Sequence, residues 1–376
     1  MGRVLGPADY GTLGVLLSIG YIMGIFLNTL QTSIAKYVAQ FKAKKEIEKV
    51  SFLLARSIRR FLYTGLLLSS LFILLIPFLA TFLHIVWYLL AILVVLIMGT
   101  LLLPTVRGTL QGMQLFRKLG INLSIEGLTK FFGGVLFVAL GWGVAGATLA
   151  FSLSFLVPFL LGWISIRKVL PQKKESFSTK EMYTYSIPVL CMLLCLTAFF
   201  SVDVILVKHF FSETLAGHYA ALSILGKILF FGSISISQVL VPKVAELYEE
   251  GKAHKGLLYK SIGIIGALLI PAIIIYSYFP GFIINILFGQ EYLDVAPLLG
   301  RFALFMTFFC ITYLLAFYNI AVQKTRFIIL LATFNILEII LLWIYHTSLT
   351  QVVNILVALS AILLVIMILY TKGAKK

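Results

Sequence analysis

Five charged side chains lie deep within long apolar stretches of the sequence, where a charge is expected only if it has an ion-pair partner or a functional role. They are Glu126, Lys130, Asp203, Lys227 and Glu338. On insertion scales an ionised side chain at the centre of a bilayer costs about 2.5–3.5 kcal/mol. Glu126 and Lys130 are four residues apart, which puts them on one helix face within reach of each other. Two interpretations stay open: an ion pair that faces a helix bundle, or a Lys130 that lines a cavity while Glu126 tunes its charge.

Lys227 differs from Lys130 because the sequence has no acidic residue three or four positions away from it. Its ammonium group would pair across helices with Asp203 or Glu338, or it would face water and an anionic ligand. Carboxylates within a membrane also bind the protons or sodium ions of coupled transport. Asp203 and Glu338 are therefore candidates for coupling or gating, although Asp203 has a further possible partner in Lys208, near the outer surface.

Lys36 and Arg107 stand at the predicted inner ends of two apolar stretches. The ordinary interpretation of such residues is that they anchor the helix to lipid phosphates. The alternative is a basic inner mouth that attracts a diphosphate group. Lysine is well suited to such a ligand because its ammonium is a compact, mobile phosphate partner.

The sequence offers little for catalysis or for a metal. Cys191, Cys195 and Cys310 lie within apolar stretches and show no ligand spacing. The predicted outer joints carry only a few acidic residues and no close carboxylate pair, which a glycosyl-transfer site would need; they are Asp9, Glu213, Glu291 and Asp294. We therefore predict no enzyme, no cofactor and no metal site. A membrane-embedded polysaccharide polymerase or glycosyltransferase remains a less favoured alternative.

The elements that position these residues are long apolar segments. Of 376 residues, 61% are hydrophobic and 12% charged, and the mean hydropathy is +1.07. A hydrocarbon core about 30 Å thick needs roughly 20 residues of helix to cross it. We predict an all-α polytopic membrane protein with eleven spans. These are 12–35, 61–84, 86–106, 121–140, 145–166, 185–208, 216–240, 259–286, 296–320, 327–346 and 349–370.

The basic residues predict how the chain is oriented. Of thirty Lys and Arg residues, twenty-five lie on alternate joints and so on one side of the membrane. Short basic loops stay cytoplasmic, so we predict a cytoplasmic C-terminus and an outside N-terminus in the cell membrane. The net charge of +16 suits anionic lipid headgroups. It does not indicate nucleic acid, because no basic face with interleaved aromatic residues lies outside the spans.

A repeated turn divides the chain into two parts. Residues 5–11 (LGPADYG) and 215–220 (LAGHYA) each lead into an apolar span that closes on a basic loop. Both spans run in the same direction, so the two parts would be related by a pseudo-two-fold axis along the membrane normal. We predict an N-terminal lobe of five spans over residues 1–170 and a C-terminal lobe of six over 171–376.

A series of short motifs carries a resemblance to a known family. The motifs are residues 3–11 (RVLGPADYG), 107–114 (RGTLQGMQ), 141–147 (GWGVAGA), 185–188 (YSIP), 202–206 (VDVIL), 217–219 (GHY) and 288–292 (FGQEY). In this order they resemble polysaccharide flippases of the multidrug, oligosaccharidyl-lipid and polysaccharide exporter superfamily. The resemblance implies a further span before residue 3, which this sequence lacks, and a structural or gating role for Asp203.

The resemblance implies a flippase that moves an isoprenoid-diphosphate-linked oligosaccharide by alternating access. The diphosphate cannot cross hydrocarbon unaided, so a hydrated cavity would offer it Lys130, Lys227, Arg107 and Lys36. Asp203, Glu126 and Glu338 would couple or gate the cycle. The expected partners are the glycan lipid, membrane lipids and a glycan polymerase or transferase. An ion-coupled antiporter for drugs or metabolites is the main alternative, and a lipid II flippase would share the mechanism.

Overall fold

The computed structural model describes residues 2–167 and 180–373, and over these ranges the chain is almost wholly helical, without a strand. The α-helices are α1 Gly2–Ala43, α2 Ile47–Leu83, α3 Trp87–Gly112, α4 Phe116–Leu128, α5 Gly134–Phe137, α6 Gly143–Arg167, α7 Lys180–Phe199, α8 Val202–Phe210, α9 Glu213–Glu249, α10 Lys255–Tyr278, α11 Pro280–Leu287, α12 Leu299–Ala321, α13 Phe327–Ile344 and α14 Leu349–Gly373. Single π-helical turns lie at Thr129–Gly133 and Val138–Trp142, and a 3-10 helix lies at Gln290–Leu298.

Ten helical stretches of the described residues are long and apolar enough to cross a membrane. One of them, Phe116–Arg167, has 52 residues and contains two predicted spans, 121–140 and 145–166. A straight helix of that length would measure about 78 Å, more than twice the thickness of the hydrocarbon core. The predicted class, an all-α polytopic membrane protein, is confirmed. The predicted basic joint near residues 167–184 falls largely outside the described residues.

The chain reverses direction within the stretch Phe116–Arg167. Gly141 and Gly143 have φ values of 85° and 51°, in the region that residues with a Cβ rarely adopt. After this turn α6 runs back along α4, where the Asn122 Nδ2 donates a hydrogen bond to the Pro158 carbonyl at 2.7 Å. The glycine-rich motif at 141–147 is therefore the turn of a helical hairpin.

The described chain forms two compact units. The N-terminal unit comprises Leu16–Leu193, and the C-terminal unit comprises Met1–Val15 with Leu194–Lys376. In the N-terminal unit α3 packs against α2 and α6, and in the C-terminal unit α12 packs against α9, α10 and α14. Helices apolar on all sides belong in such central positions. The lobe boundary near residue 170 stays a prediction.

The two repeated turns lie against each other within the C-terminal unit. A Cβ placed on Gly11 would come within 2.6 Å of the Gly217 backbone nitrogen, and one on Gly217 would overlap the Pro7 carbonyl. The start of α1 is also held by Arg3, whose Nη2 donates to the carbonyls of Asn285 and Ile286, each at 2.6 Å. These carbonyls end α11, where a cation is favoured by the helix dipole.

Gly217→Ala is expected to destabilise the protein by about 1–3 kcal/mol, because the new methyl group has backbone rather than a side chain in its way. Gly24→Ala is the matched control, since a Cβ at Gly24 meets nothing within 4 Å. Thermal melting of both purified variants in detergent measures the difference. Equal melting temperatures for the two variants would contradict the close packing of the repeated turns.

Candidate substrate and coupling sites

The N-terminal unit brings together Arg107, Glu126 and Lys130. The Arg107 Nη1 donates to Oε2 of Glu126 at 2.6 Å, and the Lys130 ammonium pairs with Oε1 of the same carboxylate. The Arg107 Nε donates to Oδ1 of Asn122 at 2.7 Å. We call Arg107, Asn122, Glu126 and Lys130 the Arg107 cluster. One carboxylate neutralises only one of the two cations, so the cluster carries a net charge of +1.

The helices explain how this cluster forms. Asn122, Glu126 and Lys130 follow one another at four-residue intervals and so share a face, which packs towards Arg107 on α3. Asn122 is 3% exposed, and its amide is fixed by donating to the Pro158 carbonyl on α6. Every polar group of the cluster that leaves water therefore has a partner.

Lys130 is the accessible cation of the Arg107 cluster. Its side chain is 35% exposed, against 3% for that of Arg107. Its Nζ lies 4.6 Å from the centre of the Phe155 ring and 5.4 Å from that of Phe151, distances at which an aromatic face attracts a cation. A lysine that faced hydrocarbon would be costly, so we expect the exposed part of Lys130 to face water or lipid headgroups.

Arg107 is buried, whereas the sequence suggested an exposed position. An exposed residue anchored to headgroups at the inner end of a span was one expectation, but Arg107 is 2% exposed. Arg107 can be buried because Glu126 and Asn122 offer hydrogen-bond acceptors inside the unit, and these compensate the cost of desolvating its guanidinium. Lys36 is exposed in the last part of α1. A role for either residue in binding cargo stays a prediction.

The C-terminal unit brings together Asp203, Lys227 and Glu338. Asp203 on α8 and Glu338 on α13 are both 0% exposed, and Lys227 on α9 is 4% exposed. The Tyr219 hydroxyl donates to Oδ2 of Asp203 at 2.6 Å. Lys227 and Glu338 each interact electrostatically with Asp203. We call Asp203, Tyr219, Lys227 and Glu338 the Asp203 cluster.

Lys227 is thus buried beside an acidic residue of a neighbouring helix, and its Nζ lies 5.6 Å from the centre of the Phe200 ring. Of the two interpretations left open by the sequence, this placement favours pairing across helices. The Lys208 Nζ lies 3.9 Å from Oε1 of Glu213, the first residue of α9, so Lys208 pairs with Glu213 rather than with Asp203. Asp203 instead faces the interior of the unit.

Glu338 is the unusual member of the Asp203 cluster. Neither of its carboxylate oxygens has a hydrogen-bond partner among the described residues. An ionised carboxylate buried without a donor costs several kcal/mol, so such a group carries a proton or binds a cation instead. Lys227 compensates the charge of Asp203, and a role for Glu338 in coupling or gating stays a prediction.

Sequence reasoning missed two functional neighbours. Asn122 holds Arg107, and its position four residues before Glu126 was a signal that the sequence contained. Tyr219 binds Asp203 but lies sixteen residues from it, and no helical spacing links the two. Only the packing of α8 on α9 reveals that pair.

A family model described as "Polysaccharide biosynthesis protein" matches residues 1–297, most of the chain and both clusters apart from Glu338. The chain belongs to this polysaccharide biosynthesis protein family. The resemblance drawn from the motifs is thereby confirmed.

An uncharacterized membrane protein of Methanocaldococcus jannaschii, MJ1068, is 28% identical over an alignment of 243 residues that covers 58% of this chain and 46% of that protein. The chain therefore spans about half the length of this curated relative.

Solved structures show the same fold. An inward-facing multidrug resistance MATE family transporter of the MOP superfamily matches with a TM-score of 0.82 at 13% identity, over 99% of this chain and 92% of that one. The lipid II flippase MurJ, in an inward closed conformation, matches with a TM-score of 0.73 at 17% identity, over 99% and 86%. Both of these solved proteins are transporters by their descriptions, and the likeness to them shows that this chain has their fold.

Proposed function

We propose that this member of the family translocates an isoprenoid-diphosphate-linked oligosaccharide across the cell membrane by alternating access, for the assembly of a surface polysaccharide or glycan. The observation that carries the proposal is the net positive Arg107 cluster, in which Lys130 is accessible. The family match supports the polysaccharide context, and the likeness to MurJ supports a lipid-linked cargo. The glycan lipid, membrane lipids and a downstream polymerase or transferase are the partners that this function requires.

The chemistry of the cluster suits a diphosphate that must be bound and then released. Arg107 is buried and its guanidinium holds the Glu126 carboxylate in place, so Lys130 can exchange that carboxylate for a phosphate oxygen. A charge-assisted contact of this kind is strong but is formed by a single mobile ammonium. Arg107 and Glu126 would then position Lys130 without touching the cargo.

The orientation is part of the proposal. The basic joints predict that the last helix, α14, ends on the cytoplasmic side of the cell membrane. The joint between α9 and α10, the joint between α12 and α13, and the end of α14 are all basic, with Lys252, Lys324 and Lys372 among their residues. The cargo would enter from this side.

An ion-coupled antiporter of the same superfamily is the second candidate, and Glu338 is the observation that favours it. A buried carboxylate without a hydrogen-bond partner is suited to carry the coupling ion, as is Asp203 beside it. The two candidates differ in cargo: an anionic lipid suits the net positive Arg107 cluster, whereas a cationic drug would be repelled by it. Uptake of a cationic dye, but not of a lipid diphosphate, would favour the antiporter.

Lys130→Ala is expected to lower the rate of flipping by about tenfold or more, because a charge-assisted hydrogen bond contributes about 1.5–3 kcal/mol. The assay is transfer of a fluorescent isoprenoid-diphosphate-linked disaccharide across proteoliposomes. Lys130→Arg is expected to keep most of the rate. Lys118→Ala, which removes an exposed lysine of α4, is the matched control. Wild-type flipping by Lys130→Ala would remove the cluster from cargo binding.

A further inference from the structure

A cavity lies in the C-terminal unit among residues that belong to neither cluster. It has a volume of about 240 Å³ and is lined by residues of α10, α12 and α14. Its polar lining residues include Lys255 and Lys372, which lie at the ends of α10 and α14, and Tyr259 and Tyr318. The apolar lining residues are Leu258, Ile262, Leu315 and Ile368.

The helical spacing explains why the cavity has both polar and apolar lining residues. Lys255, Tyr259 and Ile262 lie four and three residues apart, so they form one stripe along α10. Ile368 and Lys372 are likewise four residues apart on α14. On both helices the stripe runs from an ammonium group at the helix end to aliphatic carbon about one or two turns inside.

The polar lining residues have an excess of positive charge. Neither Lys255 nor Lys372 makes an ion pair with a residue that the structure describes. His254 lies beside them, with its Nδ1 2.7 Å from the Tyr318 Oη. Burial lowers the pKa of His254, and the charges of Lys255 and Lys324 lower that pKa further. Burial and Lys255 likewise lower the pKa of Lys324. An anion beside them would relieve the repulsion among these groups.

We propose that this cavity binds the phosphate headgroup of an anionic phospholipid, with the first carbons of one acyl chain along Ile262 and Ile368. The phosphate would lie between Lys255 and Lys372, with Tyr259 donating from its exposed hydroxyl. Basic pockets between helices at a cytoplasmic surface have the chemistry for such headgroups. A free phosphate would contact only the polar lining residues and leave the apolar ones exposed to water. A lipid fits better because its acyl chain would cover them. The volume accommodates a headgroup and part of one chain, while the rest of the lipid stays in the bilayer.

The site can be tested on the full-length purified protein by native mass spectrometry in detergent. Phosphatidylglycerol and phosphatidylcholine with the same acyl chains are added separately, and inorganic phosphate is added as a third arm. We expect retention of phosphatidylglycerol over phosphatidylcholine. Each lysine near a membrane surface contributes about fivefold to anionic-lipid binding. Lys255→Ala/Lys372→Ala should therefore weaken phosphatidylglycerol binding about 25-fold, and Lys255→Arg/Lys372→Arg should retain it.

Lys252→Ala is the matched control, because Lys252 lies at the same end of the unit but pairs with Glu250 at 2.8 Å. Loss of lipid from Lys252→Ala equal to that from the double variant would overturn the proposal in favour of diffuse attraction. Equal binding of phosphatidylcholine, or full displacement by inorganic phosphate, would overturn it as well. Melting temperatures of all variants show whether they are folded. If the double alanine variant fails to fold, the phosphatidylcholine and phosphate arms on the wild-type protein still decide.

Discussion

Glu126→Ala is expected to lower the free energy of unfolding by about 3–5 kcal/mol, the usual cost of removing one partner from a buried ion pair. Glu126 is the carboxylate that both Arg107 and Lys130 contact. Without it, two cations face each other and the guanidinium, which is 2% exposed, loses its counter-charge. Thermal or detergent-induced unfolding of the purified protein measures the loss.

Two further variants separate this effect from ordinary truncation. Lys130→Met leaves the Arg107–Glu126 pair intact, so it should cost much less stability while impairing transport. Arg107→Met/Glu126→Met removes both buried charges and should recover part of the stability lost in Glu126→Ala. Arg107→Met and Glu126→Met are also measured singly. If the double variant loses as much stability as these two variants added together, Arg107 and Glu126 are not coupled and the cluster is not held as described.

The fold was largely predictable because hydropathy is a strong signal. Each of the eleven predicted segments contains enough apolar residues to be recognised as a membrane span. Gly141 and Gly143 lie at the joint between two of these spans. The helical hydrogen-bonding pattern is continuous over Phe116–Arg167. A stretch of this length is too long for one membrane span, so the limit on span length predicted two spans here, and these form the hairpin.

The candidate site was predictable only where partners lie on one helix. The Glu126–Lys130 pair follows from their spacing of four residues. The Arg107–Glu126 and Asp203–Tyr219 pairs join different helices, and a single sequence contains no signal for which helices meet or how each is rotated. Arg107 illustrates the consequence: its place at the end of a span suggested a headgroup anchor, whereas the rotation of α3 turns it inward towards Asn122.

Under the proposed coupling role of Glu338, Glu338→Gln is expected to leave the fold intact but to remove the effect of sodium or pH on the melting temperature. Glutamine has the shape of a protonated glutamate, so the buried position, 0% exposed, is filled without a new charge. It cannot balance a sodium ion or release a proton, and the lost charge-assisted contact should weaken ion binding by about 10–100-fold. The measurement is the melting temperature with and without sodium at two pH values, since an ion that binds the folded state raises it.

Glu338→Leu is the control variant, because it removes the carboxylate as Glu338→Gln does but also changes the shape of the side chain. Leucine also removes the carboxylate, so it should lose the ion response in the same way and differ from Glu338→Gln only in packing. An ion response that survives in both variants would exclude Glu338 from coupling. If the wild-type melting temperature depends on neither sodium nor pH while flipping still proceeds, the Asp203 cluster is structural, and translocation must draw on the membrane potential or on consumption of the product.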